Sequence, residues 1–304
     1  MELAWILLRQ NIIMVIYMVI GYFLYSKKLI TKNGSGELGK LVLYIVMPAV
    51  IIKAYMMDFS LQALRRLGLS MAAAAVCMLL SMLVSRLAFR KHPIEHFGSA
   101  FSNAGFIGIP LIQAALGREA VFYVSSFVAF LNILQWTYGV YVMTGDRKRI
   151  SVKKIVTNPV VIGFMIGIAV FFLPVQPPLV LTSAVNAISA MNAPMAMIIL
   201  GIYLAQLPLK EMLKGKHVYL CTLLRLVVIP LLSMAVLSLI PAEYNVIKMA
   251  VLIAAAAPVG SNVAIFAQIN KKDYTEAVKS ICISTVLCIF TMPMIVWIAN
   301  TLWK

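Results

Sequence analysis

Two short stretches of the chain place amide and hydroxyl side chains beside glycine and proline within hydrophobic segments. They are NAGFIGIP at residues 103–110 and APVGSN at residues 257–262. Because proline removes a backbone donor and glycine weakens a helical turn, each stretch predicts an interruption in a membrane-crossing helix. The backbone groups freed there need partners inside a bilayer, so each interruption must be buried in protein or line a wet cavity.

The chemistry that these stretches predict is the non-covalent binding of an anion. A half-helix that begins at an interruption presents the positive end of its dipole and its unpaired N–H groups, which suits a carboxylate. Two more amides lie one turn apart in the next hydrophobic segment, where they can face the first interruption or bond to a neighbouring helix. The predicted substrate-binding residues are Asn103, Gly105, Gly108, Pro110, Asn132, Gln135, Pro258, Gly260, Ser261 and Asn262.

Charged side chains are rare inside the hydrophobic segments. Arg225 lies within one of them, where it can pair with a substrate anion or extend to the cytoplasmic headgroups. Asp58, Glu119 and Glu243 fall at segment ends, so a buried carboxylate relay is not expected. Sodium coupling, proton coupling and uniport all stay open, and no other cofactor is expected.

The composition identifies an integral membrane protein. The 304 residues are 62% hydrophobic and only 12% charged, with a mean hydropathy of +0.97. A spanning helix needs about 20 apolar residues. Ten such segments follow one another along the chain: 4–25, 39–57, 67–89, 97–116, 120–143, 158–174, 179–206, 217–240, 246–269 and 276–302.

The basic residues predict how these segments are oriented. Eighteen of the 26 Lys and Arg residues lie in five alternate gaps, and the positive-inside rule places those gaps in the cytoplasm. Both termini should then face outside the cell membrane. Because the charge is spread over many gaps and forms no single patch, nucleic acid is not an expected partner.

Helix-breaking prolines recur in the two halves of the chain. Pro48 and Pro194 are 146 residues apart, and Pro110 and Pro258 are 148 apart. Such matched breaks are typical of secondary transporters built from inverted repeats, with a binding site near the bilayer midplane. Asn192 lies beside Pro194, where it can line a pathway or pair with the freed backbone groups.

The matched prolines divide the chain into two repeats of five helices. The first covers residues 1–144 and the second covers residues 158–304, with a short cytoplasmic linker at 145–157. Because five is an odd number, the second repeat must cross the membrane in the opposite direction to the first. The predicted fold is therefore all-α, with ten transmembrane helices.

The chain resembles the auxin efflux carrier family, which includes plant PIN auxin carriers and bacterial permeases for small carboxylates. The resemblance implies a scaffold of spans 1, 2, 6 and 7, which would place Pro48, Pro194 and Asn192 on the scaffold side of the pathway. It also implies a mobile transport part of spans 3–5 and 8–10 in which the broken spans 4 and 9 cross. It further implies homodimers and elevator-type transport of an anion such as malate, malonate or an auxin-like acid. The matching stretches are NAGFIGIPLIQAALG at 103–117, FLNILQWTYG at 130–139, NPVVIGFMIG at 158–167, MNAPMAMIILG at 191–201 and AAAPVGSNVAIFAQ at 255–268.

Two other classes of function compete with transport. A membrane sensor would bind the ligand in a similar bundle without moving it, but the short gaps leave no room for a signalling domain. An intramembrane enzyme is disfavoured because the chain lacks paired intramembrane aspartates, a HEXXH motif and a plausible Ser–His dyad. Because the sequence has no GxxxxGK[ST] motif, ATP hydrolysis is not expected. The four cysteines lie inside apolar runs without metal-type spacing and are predicted to be small buried hydrophobic residues.

Overall fold

The protein is described here by a computed structural model, which covers residues 2–173 and 177–303. The predicted outer loop LPVQPP at 173–178 therefore lies partly outside the described residues, as do Met1 and Lys304. Within the described ranges the chain forms helices and no strand. The helices are α1 (Glu2–Ser26), α2 (Lys32–Tyr55), α3 (Leu61–Ala88), α4 (Pro93–Ala100), α5 (Ala104–Leu116), α6 (Arg118–Thr144), α7 (Val152–Val156), α8 (Pro159–Phe172), α9 (Leu179–Ala205), α10 (Leu209–Met212), α11 (Lys216–Leu237), α12 (Asn245–Ala256), α13 (Asn262–Ile269) and α14 (Tyr274–Leu302).

Half of these helices are long enough to cross a bilayer. Within the described residues seven have the required length and hydropathy, namely α1, α2, α3, α6, α9, α11 and α14. Helices α5 and α8 are apolar but shorter. The chain is therefore a multi-pass membrane protein. In place of the fourth and ninth predicted segments it has two pairs of shorter helices, α4 with α5 and α12 with α13.

Side-chain caps extend two helices beyond the hydrophobic segments. Helix α2 begins at Lys32 because the Thr31 hydroxyl accepts a hydrogen bond from the backbone N–H of Gly34. Helix α3 begins at Leu61, where the Ser60 hydroxyl caps it in the same way. Hydropathy alone placed both starts at least six residues too late, because these first turns are polar.

Prolines inside three of the helices follow a wide turn of the π type. Proline lacks the N–H for the normal hydrogen bond, and its ring clashes with the carbonyl four residues earlier. A π turn shifts the hydrogen bonds to an i→i+5 pattern and thereby lets the helix continue. The π turns at Val42–Val46, Ala104–Gly108 and Leu224–Val228 lie two residues before Pro48, Pro110 and Pro230, respectively.

Glycines allow two pairs of helices to pack with their backbones in contact. Helix α1 meets α9 so closely that a Cβ atom on Gly201 would lie 2.0 Å from the Met18 carbonyl oxygen. Helix α8 meets α2 through Gly163, which lies against Pro48, and Gly167, which lies against the Tyr55 ring. These contacts bind α1, α2, α8 and α9 into two tightly packed pairs.

Candidate functional site

The two interrupted helices meet at their interruptions. Helix α4 ends at Ala100 and α5 begins at Ala104, while α12 ends at Ala256 and α13 begins at Asn262. A short extended segment connects the two helices of each pair. The two segments run antiparallel to each other and pair at Ser102 and Val259. The four helix ends therefore converge on one point in the interior.

Backbone hydrogen bonds join the two connections. The N–H of Asn103 donates to the Pro258 carbonyl over 2.7 Å, and the N–H of Gly260 donates to the Phe101 carbonyl over 3.0 Å. A Cβ atom on Gly260 would lie 3.1 Å from that same carbonyl oxygen, so the approach leaves little room for a side chain. The freed backbone groups of each break are thus partly satisfied by the other break.

A small cavity of about 30 Å³, large enough for water-sized molecules, lies beside this junction; we call it the central cavity. Seven of the ten predicted binding residues line it. They are Asn103, Gly105, Asn132, Gln135, Gly260, Ser261 and Asn262.

Amide side chains from three helices are arranged around the central cavity. The Asn262 amide donates to the Gln135 side-chain oxygen over 2.7 Å and so links α13 to α6. The Asn132 amide donates to the Val128 carbonyl within its own helix, and its oxygen accepts a bond of 3.4 Å from the Asn158 amide. Asn132, Gln135 and Asn262 thus present amide dipoles to the cavity without a full charge.

Two polar atoms on the cavity wall have no hydrogen-bond partner among the described residues. They are the Ser102 hydroxyl oxygen and the Asn103 side-chain nitrogen. Both residues are buried, with 2% and 5% of their surface exposed. A buried donor without a partner costs about 1–3 kcal/mol, so these two groups are available to a polar ligand.

Two helices begin at the cavity and direct their positive ends toward it. Asn103, Gly105 and Phe106 at the start of α5 line the cavity, as do Ser261 and Asn262 at the start of α13. The first N–H groups of a helix have no partner within the helix. The cavity therefore combines free amide donors with two positive helix ends and can accept an anion.

The other three predicted residues do not line the central cavity. Gly108 packs within α5 against Ala254, and Pro110 continues α5 after the π turn. Pro258 supplies the carbonyl that pairs with Asn103. The interruption of the fourth segment thus falls at residues 101–103, before the glycines and the proline that predicted it.

The predicted scaffold residues have separate positions. The Asn192 amide donates to the Gly105 carbonyl over 3.2 Å and so connects α9 to the start of α5. Pro194 lies in the turn of α9 that follows Asn192, and Pro48 packs against Gly163 of α8.

The predicted partner of the anion, Arg225, does not line the central cavity. It is 1% exposed, and its guanidinium donates to the carbonyls of Ser99 and Ala100 at the end of α4 and to that of Ala255 at the end of α12. Neither sequence interpretation, contact with the substrate or extension to the headgroups, agrees with this position. The terminal nitrogens of the guanidinium are therefore hydrogen-bonded to helix ends that lie inside the protein.

The structure adds residues that the sequence did not indicate. Ser102 lines the cavity, and Asn158 caps the start of α8 while its amide contacts Asn132. An Asn-Pro pair is a recognisable helix start, so the position of Asn158 had a signal in the sequence. Glu95, which the hydropathy count left outside the fourth segment, is buried in α4 with 5% exposure.

Two larger cavities lie along the same helices, one on each side of the central cavity. The first, of about 400 Å³, is lined by Gln10, Gln113 and Asn192, among others, and we call it the Gln-lined cavity. The second, of about 890 Å³, has Lys32 and Lys40 in its wall and is called the Lys-lined cavity. Leu43 lines both the Lys-lined cavity and the central cavity, so these two are neighbours.

Comparison with known proteins gives a family and two relatives. Residues 7–155 and, again, residues 148–296 match the family described as "Membrane transport protein". A protein of Rhizobium meliloti named "Putative malonate transporter" is 24% identical over 302 residues, which cover 93% of this chain and 92% of that protein. An uncharacterized transporter of Methanocaldococcus jannaschii is 27% identical over 214 residues, 66% of this chain and 69% of its own.

Proposed function

Because this chain belongs to the auxin efflux carrier family of membrane transport proteins, we propose that it is a secondary carrier for a small organic anion. A carboxylate such as malonate or malate is the proposed substrate. The observation that carries the proposal is the central cavity, where two helix N-termini meet unpartnered buried donors from Ser102 and Asn103. The name of the Rhizobium meliloti relative agrees with this substrate class. The family and both names point to transport and not to catalysis.

The proposed topology has ten membrane spans in two inverted repeats. The pair α4 and α5 counts as one span, and the pair α12 and α13 counts as another. Together with α8 and the seven long helices, these pairs give ten spans. The two matches to the family, over residues 7–155 and 148–296, support repeats at 1–144 and 158–304 joined by the linker at 145–157. Because the first repeat has five spans, an odd number, the second repeat must be inverted. In this arrangement both termini face outside the cell membrane.

Elevator-type movement is the proposed mechanism of alternating access. In it the scaffold consists of α1, α2, α8 and α9, whose glycine contacts make two tight pairs. The transport part consists of α3–α6 and α11–α14. It contains the place where the two interrupted helices meet, which we call the crossing. The central, Gln-lined and Lys-lined cavities are each lined by residues from both parts. A substrate path between a fixed part and a moving part would run through such shared cavities. A homodimer would hold the scaffold still in the membrane.

The small central cavity defines what the proposed cycle must do. At about 30 Å³ it holds water-sized molecules, so a dicarboxylate needs the transport part to move away from the scaffold before it can bind. The hydrogen bond from Asn192 to the Gly105 carbonyl crosses between the two parts and must break in that movement. The Lys-lined cavity, with Lys32 and Lys40 in its wall, would then attract anions on the cytoplasmic side.

Uptake by reconstituted vesicles tests the proposal. Labelled malonate should enter protein-containing vesicles with saturable kinetics and should be displaced by malate. Asn103→Ala removes a free donor from the cavity and should lower the uptake at least about tenfold, which corresponds to about 1.4 kcal/mol of lost binding or transition-state stabilisation. Asn186→Ala, in the outer half of α9, is the matched control and should transport normally. Binding of carboxylates without any flux would instead identify a sensor.

A further inference from the structure

Four helix ends meet at the crossing, and their dipoles oppose one another. The N-terminal ends of α5 and α13 are positive, whereas the C-terminal ends of α4 and α12 are negative. With all four ends uncovered, the two signs would largely cancel at the central cavity. The site needs an additional element if it is to favour anions.

Arg225 supplies a full positive charge at the two negative ends. One nitrogen of its guanidinium, Nη1, donates to the carbonyls of Ser99 and Ala100 over 2.9 and 3.4 Å. The other terminal nitrogen, Nη2, donates to the carbonyl of Ala255. A single side chain from α11 thus bonds to the C-terminal carbonyls of both α4 and α12.

Neighbouring side chains complete this cover. The Ser81 hydroxyl donates to the Ala100 carbonyl over 2.8 Å and accepts a bond from Arg225. Burial makes the arrangement effective, because the guanidinium is 1% exposed and charges inside a protein are screened far less than at its surface. The described residues of the central cavity wall include no acidic side chain.

We propose that Arg225 makes the crossing selective for anions by covering the negative ends of α4 and α12, so that the positive ends of α5 and α13 set the potential in the central cavity. Arg225 is therefore a positioning and specificity-determining residue that acts without touching the substrate. The consequence for transport rests on the proposed function, but the sign of the potential does not depend on it.

A thiol introduced at Ser102 measures the potential directly. Ser102 lies between the negative end of α4 and the positive end of α5 and lines the central cavity. The rate at which the Ser102→Cys protein reacts with iodoacetamide, followed against pH, gives the pH at which this thiol ionises. Ser102 is itself buried, so the reagent reaches the thiol when the central cavity opens; the four native cysteines are buried as well, and the parent protein gives their background rate.

Burial alone raises the pH at which a thiol ionises, so the effect of Arg225 is measured as a difference between variants that share the same buried thiol. Adding Arg225→Gln should raise the ionisation pH by about one unit, because a nearby positive charge stabilises a thiolate by this amount. Arg225→Lys, which retains the charge, should restore most of the shift. Ser81→Ala, which removes a neutral partner of the same guanidinium, should leave the ionisation pH unchanged. An ionisation pH that is the same with Arg225 and with Gln in its place would overturn the inference.

The design also covers a variant that does not fold. If Arg225→Gln yields no folded protein, the Ser102→Cys protein alone decides the sign of the potential through its reaction with an anionic and a cationic methanethiosulfonate of similar size. The ratio of the two rates is divided by the ratio for a free thiol in solution, because burial slows both reagents whereas the potential favours one of them. A corrected ratio that favours the anion supports an electropositive crossing, and one that favours the cation contradicts it.

Transport by the same variants separates this inference from the proposed function. Arg225→Gln should reduce the preference for malonate, a dianion, over its monomethyl ester by about tenfold, which is the equivalent of one pKa unit. Vesicles that take up malonate with an unchanged preference would contradict the inference and leave the carrier function intact. If the wild-type protein moves no carboxylate while the Ser102→Cys variants show the expected thiol shift, the carrier function alone is contradicted.

Discussion

Asn262 and Gln135 illustrate how single side chains shape the candidate site. Their hydrogen bond of 2.7 Å connects the start of α13 to α6 across the central cavity. Neither side chain carries a charge, so neither pays the cost of burying an ion without a partner. Amides can also exchange this mutual bond for bonds to a carboxylate when the cavity opens.

Replacing Asn262 by aspartate tests this role. Asn262→Asp keeps the shape of the side chain but places a negative charge where we expect the substrate anion. Repulsion should lower malonate uptake by more than about tenfold, or about 1.4 kcal/mol. Asn270→Asp, at the opposite end of α13, makes the same chemical change away from the cavity and should transport normally. Equal uptake by the two variants would show that the anion binds elsewhere.

The sequence predicted the residues of the central cavity better than their individual roles. Local composition identified both breaks, because prolines, glycines and amides cluster there. It could not distinguish Gly108 and Pro110, which continue a helix, from Asn103, which ends the break. The role of Arg225 was not predictable either, since it depends on carbonyls that lie about 125 residues earlier and 30 residues later in the chain.

At the scale of the helices, a proline inside α14 is compensated by a hydrogen bond from a neighbouring helix. Pro293 lies inside α14 and cannot donate to the carbonyl of Ile289, four residues earlier. The buried Asn11 amide of α1 donates to that carbonyl over 3.1 Å. A side chain of one helix therefore replaces the hydrogen bond that proline removes from another.

A double-mutant cycle tests that replacement. Asn11→Leu should lower the free energy of unfolding by about 1–3 kcal/mol, because it leaves a buried carbonyl without a donor. In a Pro293→Ala background the backbone N–H of the alanine can bond to Ile289, so the same change should cost less than about 1 kcal/mol. Thermal unfolding in detergent gives both values. Identical costs in the two backgrounds would contradict the coupling.

Helix positions were more predictable than helix ends. Hydropathy located the core of all the long helices, since each needs an apolar stretch to cross a bilayer. It missed the polar first turns of α2 and α3, whose starts depend on hydroxyl caps from Thr31 and Ser60. The three π turns described above also had no hydropathy signal, although the proline two residues beyond each of them marks its position.

For the whole molecule, the distribution of basic residues predicts a definite orientation. The gap around Lys148 belongs to the basic set, and the gap around Phe59 belongs to the opposite set. Both residues lie between the long helices and are exposed, with Lys148 in the short 3₁₀ helix Arg147–Arg149. They therefore make a matched pair for a test from the two sides of the membrane.

Cysteine labelling in intact cells provides this test. Phe59→Cys should react with a charged maleimide that cannot cross the membrane, because its gap is predicted to face outside. Lys148→Cys should react only with a maleimide that crosses the membrane or after the cells are opened. The reverse pattern would invert the proposed topology and place the Lys-lined cavity outside.

The central claim is that the two interrupted helices bind a small carboxylate where they meet. A structure determined with malonate bound measures this most directly. We expect its carboxylate beside the starts of α5 and α13, within hydrogen-bonding distance of Asn103 and Asn262. Malonate bound at any other place, with the crossing unoccupied at saturating concentration, would contradict the account.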